Sequence, residues 1–405
     1  MSYSEWREVK FSDVVEMNPR LTLKKGTLAK KISMQDLKEF NRKIQSFELT
    51  KFTSGSKFQN GDTLLARITP CLENGKTAFV DILEDDEVAF GSTEFIVLRA
   101  KEGITDSKFV YYLSITPEFR NIAIKSMTGS SGRQRVQNSV LENTLITIPS
   151  LAEQKQISNV LSILDEKIEI NNNINQTLEE IAQAIFKHWF VDFEFPNEIG
   201  EPYKSSGGKF VESELGMIPE GWKIINLGEI INISSGKRPK SKQDNSKEEY
   251  IYPLIGASSI MGYVNEFLYN EPILIIGRVG THGIVQRYNE KCWPSDNTLV
   301  IKTEFYNFVY QILKLIDYTA LNRGSTQPLI TQTDIKNYQI LLSDKNILDL
   351  YESITKSLFE KIDSNNQENK KLTKIRDYLL PKLMSGEIRI PEAEEAVESC
   401  LQKNN

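Results

Sequence analysis

Two stretches of helical periodicity, each longer than a small domain is wide, constrain this chain more than any other feature. In the first, Leu151 to Pro196, apolar residues recur at three- and four-residue steps: Ile157, Leu161, Leu164, Ile168, then Leu178, Ile181, Ile185 and Trp189. No proline falls inside the run, so the spacing predicts one amphipathic helix of about 38 residues, roughly 57 Å at 1.5 Å per residue. Such a helix needs a partner for its apolar stripe. The stretch from Asn346 to Gly386 supplies one: Glu166-Lys167-Ile168-Glu169 reappears as Glu360-Lys361-Ile362-Asp363, and Leu178 reappears as Leu372.

The rest of the chain repeats as well. Trp222, Ile225, Leu227, Ile230, Ile231 and Ile233 reproduce the spacing that begins at Trp6. Ile276-Gly277-Arg278-Val279 falls where Leu65-Ala66-Arg67-Ile68 fell, and Thr298 to Ile301 mirrors the strand-like Phe95 to Leu98. Phe308-Val309-Tyr310 answers Phe109-Val110-Tyr111 at a helix start, and Asn197 to Lys209 has linker composition. The expected fold class is α+β: mixed α/β domains at 1–150 and 197–344, a central helix at 151–196, and a C-terminal helix and tail at 345–405.

If the two helices pair antiparallel, the halves are related by a pseudo-dyad. Leu161, Leu164, Ile168, Asn171, Asn175 and Leu178 form one side of the expected seam, and Ile362, Asn365, Asn369, Leu372 and Leu379 the other. Buried asparagines in such a seam cost stability but fix register. Matching them puts Asn171 beside Asn369 and Asn175 beside Asn365. The same register sets Ile168 against Leu372, Leu161 against Leu379, and Leu178 against Ile362. The alternative is that these asparagines are solvated mid-helix residues.

Enzymatic chemistry finds little purchase. The chain has two histidines, His188 and His282, and three scattered cysteines without CxxC spacing, Cys71, Cys292 and Cys400. Asn74-Gly75-Lys76-Thr77 resembles the end of a phosphate loop, but Pro70 occupies the place of its first glycine. No GxGxxG follows a strand, and no catalytic or metal constellation emerges. No apolar run approaches a membrane span, and the N-terminus is not a signal peptide, so a cytoplasmic protein is expected. The net charge is −6, yet residues 1–150 carry 21 basic and 19 acidic side chains, so a nucleic-acid partner stays open.

What remains is a paired set of polar loops. The first half offers Arg67, Asn74 and Lys76, then Arg133, Gln134 and Arg135. The second offers Arg278, Thr281 and His282, then Arg323, Ser325, Thr326 and Gln327, with Lys237, Arg238 and Lys240 in an added basic run. Arginine reads guanine O6 and N7, glutamine and asparagine read adenine, and serine, threonine and lysine hold phosphates. Any one of these loops alone reads more readily as an ordinary solvated turn; their recurrence at equivalent places favours DNA contact for the set.

At this point the chain resembles a specificity subunit of a type I restriction-modification system. The likeness is carried by Leu151-Ala152-Glu153-Gln154, by Ala184 to Phe193, by Glu212 to Trp222, and by Leu379-Leu380-Pro381-Lys382-Leu383-Met384-Ser385-Gly386-Glu387-Ile388. Ser343 to Asn346 departs from the Leu-Ala-Glu-Gln opening at the second helix. The resemblance implies two target recognition domains, each reading half of a split site on double-stranded DNA, with paired helices as the spacer. It also implies two docked methyltransferase (modification) subunits and further restriction/translocase subunits. No cofactor belongs to this chain in that picture; S-adenosylmethionine, ATP and magnesium sit on the partners. A non-catalytic specificity subunit is thus expected, the alternatives being a coiled-coil scaffold without DNA or a restriction-modification polypeptide with its own activity.

Overall fold

A computed structural model describes residues 6–130, 132–279, 283–321 and 329–402. The chain divides into two compact units, residues 1–173 with 364–405, and residues 174–363. The division falls within both long helices, so each unit holds one sheet-rich domain and half of each helix.

The first long helix, Leu151–Phe190, begins where its periodicity predicts and stops short of Pro196. Phe193, in the left-handed region at φ 62°, turns the chain back on itself. The second, Lys345–Ser385, carries Pro381 near its end. The helices run antiparallel. In the first unit Asp165 meets Arg376, while further along Asn171 meets Asn369. Ile157, Leu161 and Leu164 share a core with Leu372, Leu379, Leu380 and Leu383, and Ile168 packs on its border. Each such leucine contributes about 1.5–3 kcal/mol by leaving water. Asn171 is 1% exposed and donates Nδ2 to Asn369 Oδ1 (2.9 Å) and Glu368 Oε2 (2.8 Å), while Asn369 donates to Asn172 Oδ1 (2.9 Å). Asn365 is buried; Asn175, Leu178 and Ile362 are half-buried.

The first unit is built on a four-stranded sheet in the order Val15–Met17, Phe95–Ala100, Thr63–Ala66, Thr77–Phe79. Its central strands are buried on both faces, which is why their sequences run apolar rather than alternating. A second sheet, Glu48–Lys51, Leu28–Ile32, Ala89–Gly91, Ser56–Phe58, includes one parallel pair. The helix Ser107–Ile115 packs Phe109, Tyr111 and Tyr112 into the core.

Its N-cap shows how the long helix grips the domain. Asp106 Oδ1 accepts from Phe109 N (2.9 Å) and from the Ser158 hydroxyl (2.7 Å). Gln154, fully buried, accepts from Asp106 N and donates to Ile104 O and Pro149 O. Glu153 accepts from Trp6 Nε1 (3.3 Å) and Arg389 Nη1 (3.0 Å). The Leu-Ala-Glu-Gln opening is therefore an internal fastening. Asp106→Ala should lower stability by about 1 kcal/mol through loss of the cap, read as a reduced denaturation midpoint.

The second unit repeats the plan: a sheet in the order Asn232–Ser235, Thr298–Lys302, Ile273–Gly277, Val285–Tyr288, and a three-stranded sheet with one parallel pair. Here Glu352 of the long helix caps Tyr306–Leu315 directly, accepting from Asn307 N (3.1 Å) and Phe308 N (2.8 Å). The fastening carboxylate has moved from domain to helix, so this half works without a Leu-Ala-Glu-Gln opening. Arg287 lies over Phe359 (3.6 Å to the ring centroid) and beside Tyr306 and Tyr310, holding the sheet against the helix.

One expectation fails. The stretch 197–209 is not a linker but a folded loop of the second unit. Tyr203 stacks on Phe195 (4.5 Å), Phe195 stacks on Trp222 (4.9 Å), and the Tyr203 hydroxyl donates to Lys209 O. Asn197 Oδ1 accepts from Ile199 N and Glu201 N, closing the turn. Glycine and serine supply the bends, and the aromatic residues decide the outcome.

Candidate nucleic-acid interface

In each unit an arginine ends a buried central strand at the same point of the register. Ala66 pairs with Phe95, and Gly277 pairs with Thr298. The next residues, Arg67 and Arg278, leave the sheet. Arg67 N donates to Glu94 O and Arg67 O accepts from Val136 N. Arg278 N donates to Asn297 O and Arg278 O accepts from Ile330 N, the same two bonds at equivalent places. Isolated bridges repeat the match: Ile68 with Arg135, and Val279 with Leu329. Three backbone segments thus converge at each site, rigidly held by the sheet behind them.

Both arginines are half-buried, and the Nε of each is buried with no hydrogen-bond partner among the described residues. A buried donor without an acceptor costs about 1–3 kcal/mol, so each guanidinium keeps hydrogen-bonding capacity that the described residues do not use.

Around this shared core the two sites differ. In the first unit Arg135 takes Glu94 side-on, with Nε at 3.0 Å from both carboxylate oxygens and Nη2 at 2.6 Å from Oε1. That hydrogen bond and the charges of Arg135 and Arg67 hold the Glu94 carboxyl below its ordinary range. The second unit has exposed Asn297 where Glu94 stands and Leu329 where Arg135 stands. Neither Glu94 nor Asn297 was among the residues expected from sequence. The signal available was their common position, a polar residue just ahead of a buried strand.

Of the other expected residues, Arg133 is exposed and Gln134 half-buried, with Gln134 O accepting from Thr69 N. Asn74 is exposed, while Lys76 donates Nζ to Met34 O (2.9 Å) and so bonds within its own domain. Lys237, Arg238 and Lys240 are exposed, and Trp293 Nε1 donates to Lys237 O (2.7 Å). Thr281, His282, Arg323, Ser325, Thr326 and Gln327 lie outside the described residues.

Among the described residues no group of three or more His, Cys, Asp and Glu is placed to hold a metal ion, and no helix is long and apolar enough to cross a membrane. Burial, with Glu290 adding to it, pushes the Cys292 thiol up to about 12, which makes it a poor nucleophile.

Two repeated sheet domains, each with a matched arginine at the end of a central strand, and two long antiparallel helices define the class of fold. Residues 3–180 and 219–374 match the family model described as the type I restriction modification DNA specificity domain. The chain belongs to that family and is a type I restriction-modification specificity subunit. It is 31% identical over 316 residues to the type I restriction enzyme MjaIX specificity subunit of Methanocaldococcus jannaschii, covering 72% of this chain and 71% of that one. To the HindI specificity subunit of Haemophilus influenzae it is 27% identical over 406 residues, 82% of this chain and 87% of the relative. The fold is similar to the crystal structure of a type I restriction-modification S subunit from M. genitalium, with TM-score 0.56, 18% identity, and coverage of 94% and 96% of the two chains.

Proposed function

We propose that the chain reads a bipartite, asymmetric site on double-stranded DNA, one half-site per unit, and carries no catalytic centre of its own. The observation that carries this reading is the matched pair Arg67 and Arg278. Each is fixed by the same backbone bonds at the end of a central strand, and each Nε has no acceptor among the described residues. Guanidinium groups held this way suit bidentate bonding to guanine O6 and N7, or to a phosphate. The differing surroundings, Glu94 with Arg135 against Asn297 with Leu329, support unlike half-sites.

Methyl transfer and cleavage would then belong to partners in the cytoplasm, two modification subunits and further restriction subunits, which bring S-adenosylmethionine, ATP and magnesium. A docking role for the first long helix is supported by its exposed isoleucines. Ile163 and Ile170 in the first unit, and Ile174 and Ile181 in the second, recur at heptad spacing on solvent-facing positions. Leu350 and Ile354 add exposed apolar surface on the second helix.

Retention on duplex DNA tests the binding reading against a scaffold that needs no DNA. The complex should hold duplex at low salt and lose it steeply as salt rises, because phosphate contacts release counterions. Salt-independent retention, or none at low salt, would count against it.

A further inference from the structure

The side-on pair between Arg135 and Glu94 says more about the first half-site than the paired arginines do. A guanidinium has two usable edges. Glu94 occupies the edge formed by Nε and Nη2, at 3.0 and 2.6 Å. The edge formed by Nη1 and the outer hydrogen of Nη2 has no acceptor among the described residues. The Arg135 side chain is 46% exposed while Glu94 is 23% exposed, so the arginine stands outward of the carboxylate that braces it.

The backbone below it is equally fixed. Arg135 and Thr128 exchange both N–H···O bonds (2.9 and 3.0 Å), and Gly129, next to Thr128, takes a positive φ of 131°. A Cβ at Gly129 would lie 3.0 Å from Arg133 O. Bracing also changes what the arginine can do. Its charge is largely cancelled by Glu94, which weakens its pull on any phosphate, while its free edge keeps two parallel donors at fixed spacing. Guanine is the one base whose major-groove edge offers two acceptors, O6 and N7, to such a fork.

We infer that Arg135, held by Glu94, reads the guanine of a G·C pair in the first half-site, with Glu94 as the positioning residue that makes the contact selective. The inference rests on the DNA-reading function proposed above. It is confined to the first unit, since Asn297 and Leu329 cannot form this pair.

The test uses the full chain with its modification partners, the duplex carrying its mapped site, and duplexes with each base pair of the first half-site replaced in turn. Glu94→Gln keeps the side-chain size and removes the charge. It should reduce discrimination at one G·C pair of the first half-site by about tenfold or more. It should also strengthen binding to unrelated duplex and steepen its salt dependence by about one unit, because a cation has been released. Discrimination in the second half-site should not change. Arg135→Lys should lose the same G·C preference, since an ammonium cannot make the fork.

A uniform loss at every position, or a first half-site without any G·C pair, would overturn the inference while leaving DNA reading intact. If the unaltered chain does not prefer its site to a scrambled duplex, the underlying function fails and the inference with it. Thermal midpoints of both variants within a few degrees of the parent separate these outcomes from misfolding.

Discussion

Arg376→Ala is expected to cost the first unit about 3 kcal/mol, at the low end of the 3–5 kcal/mol for removing one partner of a buried ion pair. Arg376 and Asp165 are 8% and 4% exposed and meet at 2.7 Å across the two long helices. Burial alone would lower the Arg376 pKa, but Asp165 and Asp377 beside it drive it up. The buried Tyr112 hydroxyl donates to the other Asp165 oxygen at 2.8 Å. The cost stays near the low end because that hydroxyl and the nearby Arg42 charge still face Asp165 after the substitution. Urea unfolding gives the size of the effect, and peptide-resolved hydrogen exchange places it in residues 1–173 and 364–385. The double variant Arg376→Met with Asp165→Leu should regain most of the loss, because no charge is then stranded. A single-variant change within about 0.5 kcal/mol, the range of ordinary surface substitutions, would show the pair to be solvated.

Arg67→Ala and Arg278→Ala should each reduce discrimination at one half-site by about 1–3 kcal/mol, roughly 5- to 150-fold, with no change at the other. Neither should destabilise the fold. Each removes a buried Nε that has no partner among the described residues, which offsets the packing lost and, at Arg67, the attraction to Glu94. That combination, lost reading with undiminished stability, separates a contact residue from a structural one. Measured on duplexes with one half-site scrambled, Arg67→Ala should behave normally wherever only the second half-site is probed. Equal losses at both half-sites from either variant would contradict independent readers.

Much of this architecture is legible in the sequence because it is periodic. The start of the first long helix at Leu151, the strands Thr63–Ala66 and Phe95–Ala100, and their counterparts in the second half all announce themselves through local apolar spacing. The register that brings Asn171 to Asn369 follows from placing like asparagines together. The braced pair of Glu94 and Arg135 does not announce itself, because its partners are distant in sequence and only strand pairing unites them. Composition misled at 197–209, where Tyr203 and the aromatic cluster around Trp222 outweigh the glycines and serines. The role of Glu352 was likewise hidden. A carboxylate inside a long helix reads as solvated until Tyr306–Leu315 is placed beneath it.

Sequencing modified bases in genomic DNA from cells that carry this chain with its modification subunits reads out both half-sites at once. The expected result is a single bipartite motif, two different short half-sites separated by a fixed number of unspecified base pairs. A continuous motif, or a perfect palindrome, would contradict two unlike readers on one chain.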